Sequence, residues 1–194
     1  MNTRFLSPRV GAISGIIGSV AFAALWMAAA YQDGDWVLGG MTLSELGDRS
    51  RSGAMLFNGG VIIAGVMSLL FAVGLYRLLS TSKLGKLGAG TLGLASVFLI
   101  GIGLFPIDTG SPHTTASLGF FVLGGAAMAL LIVPVWRSHV LNRGGGALTA
   151  IVLLTAIAGV MTLPLPAAEA LAVGCVLLWT VLISIRMLWH HRAP

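Results

Sequence analysis

The chain has 194 residues, of which 57% are apolar and only 9% are charged, and its formal net charge at pH 7 is +5. Water-soluble domains carry about 25% charged residues, so this composition excludes an ordinary soluble domain and indicates a membrane protein. The chain has one cysteine, which excludes an intramolecular disulfide.

The apolar residues fall into six continuous runs, each close to the ~20 residues that cross the hydrocarbon core of a bilayer. We predict helices at 10–31, 55–76, 87–105, 115–136, 147–163 and 167–188. The runs are continuously apolar rather than alternating, which excludes the strands of a transmembrane barrel. We therefore predict an all-α fold, a single domain of residues 1–194 that forms a six-transmembrane-helix bundle.

Two of these runs need comment. Arg4, Arg9 and the stretch that ends in "AAAYQD" resemble a signal peptide. The apolar run between them is longer than the usual 7–15 residues, so we expect a retained helix. The fifth run is the shortest, about 26 Å at 1.5 Å per residue.

Charge placement predicts the orientation. With six spans, nine of the eleven basic residues fall on the side of the N-terminus: Arg4, Arg9, Arg77, Lys83, Lys86, Arg137, Arg143, Arg186 and Arg192. Only Arg49 and Arg51 fall on the other side, together with all six acidic residues. The positive-inside rule then predicts a multi-pass protein of the cell membrane with both termini in the cytoplasm. The basic charge reflects this topology, and nucleic acid is not expected as a partner.

Small residues recur at four-residue spacing within the spans, as in Gly11 and Gly15, in the row Gly60, Ala64, Ser68 and Ala72, and in the pairs Ala89 with Gly93 and Ala170 with Gly174. Such rows let helix backbones approach closely in a membrane. No glycine-rich segment follows a predicted strand, so we predict no nucleotide cofactor.

The connection at 32–54 is the only long one and lies on the predicted outer side. Thr42 and Glu45 have the spacing of a capping box. We predict a short amphipathic helix that starts at Thr42 and lies on the outer membrane interface, with Leu43 and Leu46 facing the membrane.

The two cations of this loop have two interpretations. Arg49 and Arg51 could together hold a lipid phosphate through forked hydrogen bonds. Alternatively, Arg49 pairs with Glu45 and Arg51 with Asp48, at helical spacings of four and three residues.

The stretch "FPIDTGSPH" (105–113) joins the third and fourth spans. Ser111 followed by Pro112 predicts the N-cap and first residue of the fourth helix, with His113 in the first turn and Asp108 nearby. An Asp108–His113 hydrogen bond could simply close this loop. Alternatively, the pair lines an outward-facing site, where the helix N-terminus would receive an anionic group.

Two further polar residues lie near the outer ends of spans. Asn58 is about one turn into the second span, and Glu169 starts the sixth. Polar groups at such depth are candidate functional residues, although Asn58 could also bridge two helices.

These residues lead to one main hypothesis, a pocket for a lipid or other amphiphile that opens to the extracytosolic side. Its partners would be membrane lipids. Candidate ligand-binding residues are Asn58, Arg49, Glu45, Asp48, Ser111 and Glu169, with Asp108 and His113 beside them.

The first alternative is a membrane-embedded lipid hydrolase or acyl-transfer enzyme, with His113 as base and Asp108 orienting it. No metal is predicted, because His113 is the one histidine on the outer side, while His139, His190 and His191 fall on the other. A metal site on the outer side would have to combine His113, Asp108 and an acid of the first loop, which is an unusual set of ligands. A transporter is the second alternative, although no charged residue lies near the centre of a span.

Three motifs carry a resemblance to a known family. "LSELG" in the first loop, "FNGG" in the second span and "GIGLFPIDTGSPHTTASLGFF" across the third and fourth are similar to the domain of unknown function 998 family, small prokaryotic membrane proteins with six spans. The resemblance implies that Asn58, Pro106, Asp108 and His113 occupy the family's signature positions. A more distant similarity to DRAM-type six-span proteins, some linked to lipid handling, implies no particular chemistry.

Overall fold

The computed structural model describes residues 7–189 and shows an all-helical fold. Six long helices follow one another: α1 Pro8–Asp33, α2 Ala54–Leu78, α3 Lys83–Leu104, α4 Ser111–Arg137, α5 Asn142–Thr162 and α6 Leu165–Trp189. Two short 3₁₀ helices, Ser44–Gly47 and Ile107–Thr109, lie in the connections. All six helices are long and apolar enough to cross a membrane, which confirms the six predicted spans.

The six helices form a closed ring in chain order. Each helix packs against the next, and α6 also packs against α1. Close backbone approach helps to hold the ring together, as the small-residue rows predict: a Cβ on Gly11 would lie 2.7 Å from the Cα of Gly74 on α2. The prediction does not hold for Gly174, where an added Cβ would meet no atom within 4 Å.

Helix α5 is longer than predicted. It begins at Asn142 rather than at residue 147 and has 21 residues, about 31 Å of helix. The glycines of the "RGGG" segment are poor helix formers, but here they lie in a helix and allow it to pack closely against α4 and α6. A Cβ on Gly146 would lie 2.7 Å from the Cα of Trp136.

The ring has two different ends. The loop end carries residues 34–53 and the 105–110 and 163–164 connections, and Arg49 and Arg51 lie there. The opposite end, called the basic end here, carries Arg9, Arg77, Lys83, Lys86, Arg137, Arg143 and Arg186. Arg4, His190, His191 and Arg192 lie outside the described residues. This segregation agrees with the predicted threading, and the side of the membrane that each end faces stays a prediction.

Two buried clusters fill the ends of the ring. The cluster at the basic end includes Phe71, Leu75, Leu131, Val135 and Trp179. The cluster at the loop end includes Phe22, Phe57 and Val61 from the helices, together with Leu43 and Leu46 from the long loop. The space between the two clusters is not completely filled, and the candidate site lies there.

Candidate functional site

The long loop covers the loop end of the ring. Leu43 and Leu46 are 2% and 0% exposed and pack into the cluster with Phe22 and Phe57. The predicted capping box is present, because the backbone N–H of Thr42 donates to the Glu45 carboxylate and the backbone N–H of Glu45 donates to the Thr42 hydroxyl at 3.3 Å. The short helix forms as the 3₁₀ helix Ser44–Gly47, which begins two residues after Thr42. Its predicted placement is wrong: Leu43 and Leu46 insert into the protein, where they are removed from both water and lipid, rather than lying along the membrane interface.

Asn58 fastens this loop to α2. Its side-chain amide donates to the carbonyl of Gly47 at 2.8 Å. Gly47 also has no space for a side chain, because a Cβ there would overlap the carboxamide of Asn58 and touch the ring of Phe57. Two of the motifs quoted above, "LSELG" and "FNGG", therefore meet in a single contact.

Glu169 fastens the same loop to α6. Its two carboxylate oxygens accept hydrogen bonds from the backbone N–H of Leu43 and from the hydroxyl of Ser44, each at 2.9 Å. These contacts bridge more than 120 residues of sequence, so they connect the last helix of the ring to the first loop.

The two arginines of the loop pair with carboxylates on other elements. Arg49 Nε lies 2.7 Å from Asp108, and Arg51 lies 2.7 Å from Asp33 at the end of α1. The predicted local pairs of Arg49 with Glu45 and Arg51 with Asp48 are therefore wrong. The local pairs would need a continuous helix through Arg51, and the 3₁₀ helix ends at Gly47.

The acids of the predicted local pairs bond within the loop. Glu45 completes the capping box, and Asp48 accepts hydrogen bonds from the hydroxyl and backbone N–H of Ser50, at 2.6 and 2.8 Å. These two bonds, the side-chain one first, lower the pKa of Asp48 below its ordinary value.

Asp108 and His113 are neighbours in sequence but make no hydrogen bond to each other among the described residues. Asp108 bonds to Arg49, and the Nδ1 of His113 lies 2.8 Å from the backbone carbonyl of Phe105. A carbonyl accepts only, so Nδ1 carries the proton. The predicted closure of this loop by an Asp–His hydrogen bond is therefore wrong, and the backbone carbonyl takes the place of the carboxylate.

Ser111 is the first residue of α4 rather than its N-cap, which is Gly110 with a φ of 71°. The hydroxyl of Ser111 forms no capping hydrogen bond. A metal site that combines His113, Asp108 and an acid of the loop is not formed. Within residues 7–189, no three His, Cys, Asp or Glu side chains lie close enough together to hold a metal ion.

A cavity of about 320 Å³ lies at the centre of the ring, beneath the loop. All six helices line it, and its walls are mostly apolar. Leu43, Ser44 and Glu169 border it at the loop end, and Phe71 and Trp179 border it toward the basic end. Glu169 is the one charged side chain among the described residues that line the cavity.

The cavity reaches the outside of the bundle between α4 and α5. Of the described lining residues, the exposed ones are Phe121, Ile157, Val160 and Met161, and all four lie on these two helices. The two helices touch closely near the basic end, at Gly146 and Trp136, and leave space toward the loop end. The space begins at the middle of α4, where an added Cβ on Gly124 would meet no atom within 4 Å.

The structure thus separates the predicted site residues into two groups. Glu169 borders the cavity, whereas Asn58, Arg49, Asp108 and His113 do not line it and hold the loop and the α3–α4 connection in place. The sequence interpretation did not identify the cavity walls on α4 and α5. The adjacent glycines 124 and 125, placed among bulky apolar residues in the middle of a span, were the available signal for a gap beside α4.

Comparison with known proteins agrees with the motifs. A family model described as "Protein of unknown function (DUF998)" matches residues 16–186. No curated protein and no solved structure matches the chain. The match runs from within α1 to within α6 and includes both motif-bearing connections, and the chain therefore belongs to the DUF998 family of membrane proteins.

Proposed function

We propose that this protein binds a lipid or other amphiphile in the central cavity. The observation that carries the proposal is an apolar cavity, bordered at one end by a single carboxylate and lined by exposed side chains where α4 and α5 separate. Ligand pockets have volumes of roughly 300–1,000 Å³, with apolar walls and a few polar groups that fix orientation. A cavity of about 320 Å³ suits a small or single-chain ligand.

Two features of the surroundings support this proposal. The opening between α4 and α5 lies on the side of helices that would face lipid, so an apolar chain could reach the cavity without crossing water. The loop end is covered by Leu43 and Leu46 and tied down by Asn58 and Glu169, which limits access from that end. The proposed access therefore differs from the predicted one, which was an opening through the extracytosolic face.

The alternatives draw less support. An enzyme with His113 as base and Asp108 as its orienting partner would need a hydrogen bond between them, and each bonds elsewhere. A transporter of polar substrates would need polar groups near the middle of the cavity. The hydroxyls of Ser68 and Ser96 do lie on the wall, but they hydrogen-bond each other at 2.9 Å and are therefore already partnered.

The test is native mass spectrometry of protein extracted in a mild detergent. Gly124→Leu places a side chain in the open space at the cavity wall. Gly174→Leu is the matched control, because Gly174 is also in open space on a helix but does not line the cavity. We expect a lipid-sized adduct on the wild type and on Gly174→Leu that is lost from Gly124→Leu. Bare protein in all three samples, or an adduct that survives Gly124→Leu, would overturn the proposal.

A further inference from the structure

The cavity combines mostly apolar walls with one charged group among the described residues, the carboxylate of Glu169. Glu169 borders it at the loop end, where the wall also includes Leu43, Phe22 and Phe57 and the hydroxyl of Ser44. The Ser44 hydroxyl already donates its hydrogen to Glu169. A ligand headgroup that reaches this end therefore meets mainly acceptors.

The Glu169 carboxylate can accept a further hydrogen bond from a ligand. Oε2 accepts a hydrogen bond from the backbone N–H of Leu43 and Oε1 from the hydroxyl of Ser44, and the backbone N–H of Ser44 also interacts with the carboxylate. A carboxylate offers about four lone-pair positions, so about one remains for a donor on the ligand. These protein contacts also hold the carboxylate in one orientation, so that little side-chain freedom is lost when a headgroup binds.

The charged residues around the cavity determine whether it can accept an anionic headgroup. No cationic side chain lines the cavity in residues 7–189. Arg49 and Arg51, the two arginines at this end, are paired with Asp108 and Asp33. His113 also lies near Glu169, but it is hydrogen-bonded to the Phe105 carbonyl and does not line the cavity. An anionic headgroup would thus meet no cation on the cavity wall and would face a carboxylate in a low-dielectric setting, where like charges repel strongly.

We infer that the cavity selects a single-chain amphiphile whose headgroup donates hydrogen bonds and carries no negative charge, such as an alcohol or an amine, with the headgroup on Glu169 and the chain between α4 and α5. This inference rests on the proposed function and adds the chemical class of the ligand. The volume of about 320 Å³, at the small end of the range for ligand pockets, favours one chain over two.

The experiment compares three probes with the same chain length, hexadecylamine, hexadecan-1-ol and palmitate, each titrated separately into delipidated protein and followed by native mass spectrometry. Hydrogen bonds to charged groups are strong enough that we expect the amine and the alcohol to bind about tenfold or more tightly than palmitate. Glu169→Gln should bring the three affinities within a factor of about three. Ser44→Ala, which loosens the same loop contact but keeps the carboxylate, should retain the preference.

The outcomes separate the inference from the proposed function. Palmitate that binds as tightly as the amine, or a preference that survives Glu169→Gln, would overturn the inference and leave amphiphile binding standing. No binding of any probe would overturn the proposed function itself. If Glu169→Gln does not fold, the ratio of the wild-type affinities still decides the inference.

Discussion

Replacing Gly47 with alanine tests whether the long loop is a closed cover over the loop end. A Cβ at this position would overlap the Asn58 carboxamide and press on the ring of Phe57, which is 3% exposed. The Asn58 side chain would have to move, and its 2.8 Å hydrogen bond to the Gly47 carbonyl would be lost. A lost hydrogen bond costs about 1 kcal/mol, and overpacking a filled site costs about 1–3 kcal/mol. The free energy of loop opening should therefore fall by about 2–4 kcal/mol.

Limited trypsin digestion measures that opening. Arg49 and Arg51 are the two trypsin sites in residues 34–53. When opening and closing are fast, the rate of cleavage follows the population of the open form. A loss of about 2 kcal/mol would raise the cleavage rate about 30-fold, since about 1.4 kcal/mol corresponds to a factor of ten.

The control variant lies close by. Gly59 is in the same "FNGG" motif as Asn58, but a Cβ there would meet no atom within 4 Å. Gly59→Ala should therefore leave the cleavage rate unchanged or lower it, because alanine is the better helix former. If Gly47→Ala is cut no faster than Gly59→Ala, the close fit of Gly47 against Asn58 does not hold the loop, and the reasoning fails.

Three further expectations concern the contacts around the cover. Arg51→Met should reduce stability in a detergent unfolding titration by more than Arg49→Met. The side chains of Arg51 and Asp33 are 23% and 5% exposed, whereas that of Arg49 is 65% exposed, and exposed ion pairs contribute only about 0–1 kcal/mol. Equal losses of stability would contradict this. His113→Ala should lower the free energy of unfolding by about 1–3 kcal/mol, since it leaves a backbone carbonyl without its donor; an unchanged unfolding midpoint would contradict a structural role for this bond. Ser50→Ala should raise the pKa of Asp48 toward 3.8 in an NMR titration, because the lowered pKa in the folded loop comes mainly from hydrogen bonds that Ser50 donates. With its pKa lowered by folding, Asp48 stabilises the loop above about pH 4 and loses that contribution as the pH falls further, so a pKa that does not move on Ser50→Ala would contradict this assignment.

The helical architecture was largely predictable because it depends on local properties of the chain. Continuous apolar runs of about 20 residues leave few alternatives to membrane helices, and the charge pattern separates the two ends. The start of α5, predicted at residue 147 and found at Asn142, depends instead on contacts between helices. Gly144, Gly145 and Gly146 resemble a loop, but in the structure they allow α5 to pack closely against Arg186, Val135 and Trp136, and no local pattern reveals these contacts.

The candidate site was less predictable because its contacts join distant parts of the chain. The polar residues near this end could be picked out from the sequence, but their partners depend on how the loop folds. Arg49 finds Asp108 across 59 positions, and Glu169 finds Leu43 across 126. The cavity was missed for a related reason, since a gap between α4 and α5 is a property of two helix surfaces and not of either sequence alone.

Photo-crosslinking tests most directly whether an amphiphile chain occupies the central cavity, which opens between α4 and α5. The probe is hexadecylamine with a diazirine in the middle of its chain, added to protein in lipid nanodiscs and mapped by peptide mass spectrometry. The account predicts saturable labelling concentrated on cavity residues such as Phe121, Ile157 and Val176, which excess unlabelled hexadecylamine suppresses and Gly124→Leu reduces. Labelling that does not saturate and that spreads equally over exposed residues away from the cavity, such as Val20 and Val66, would contradict it.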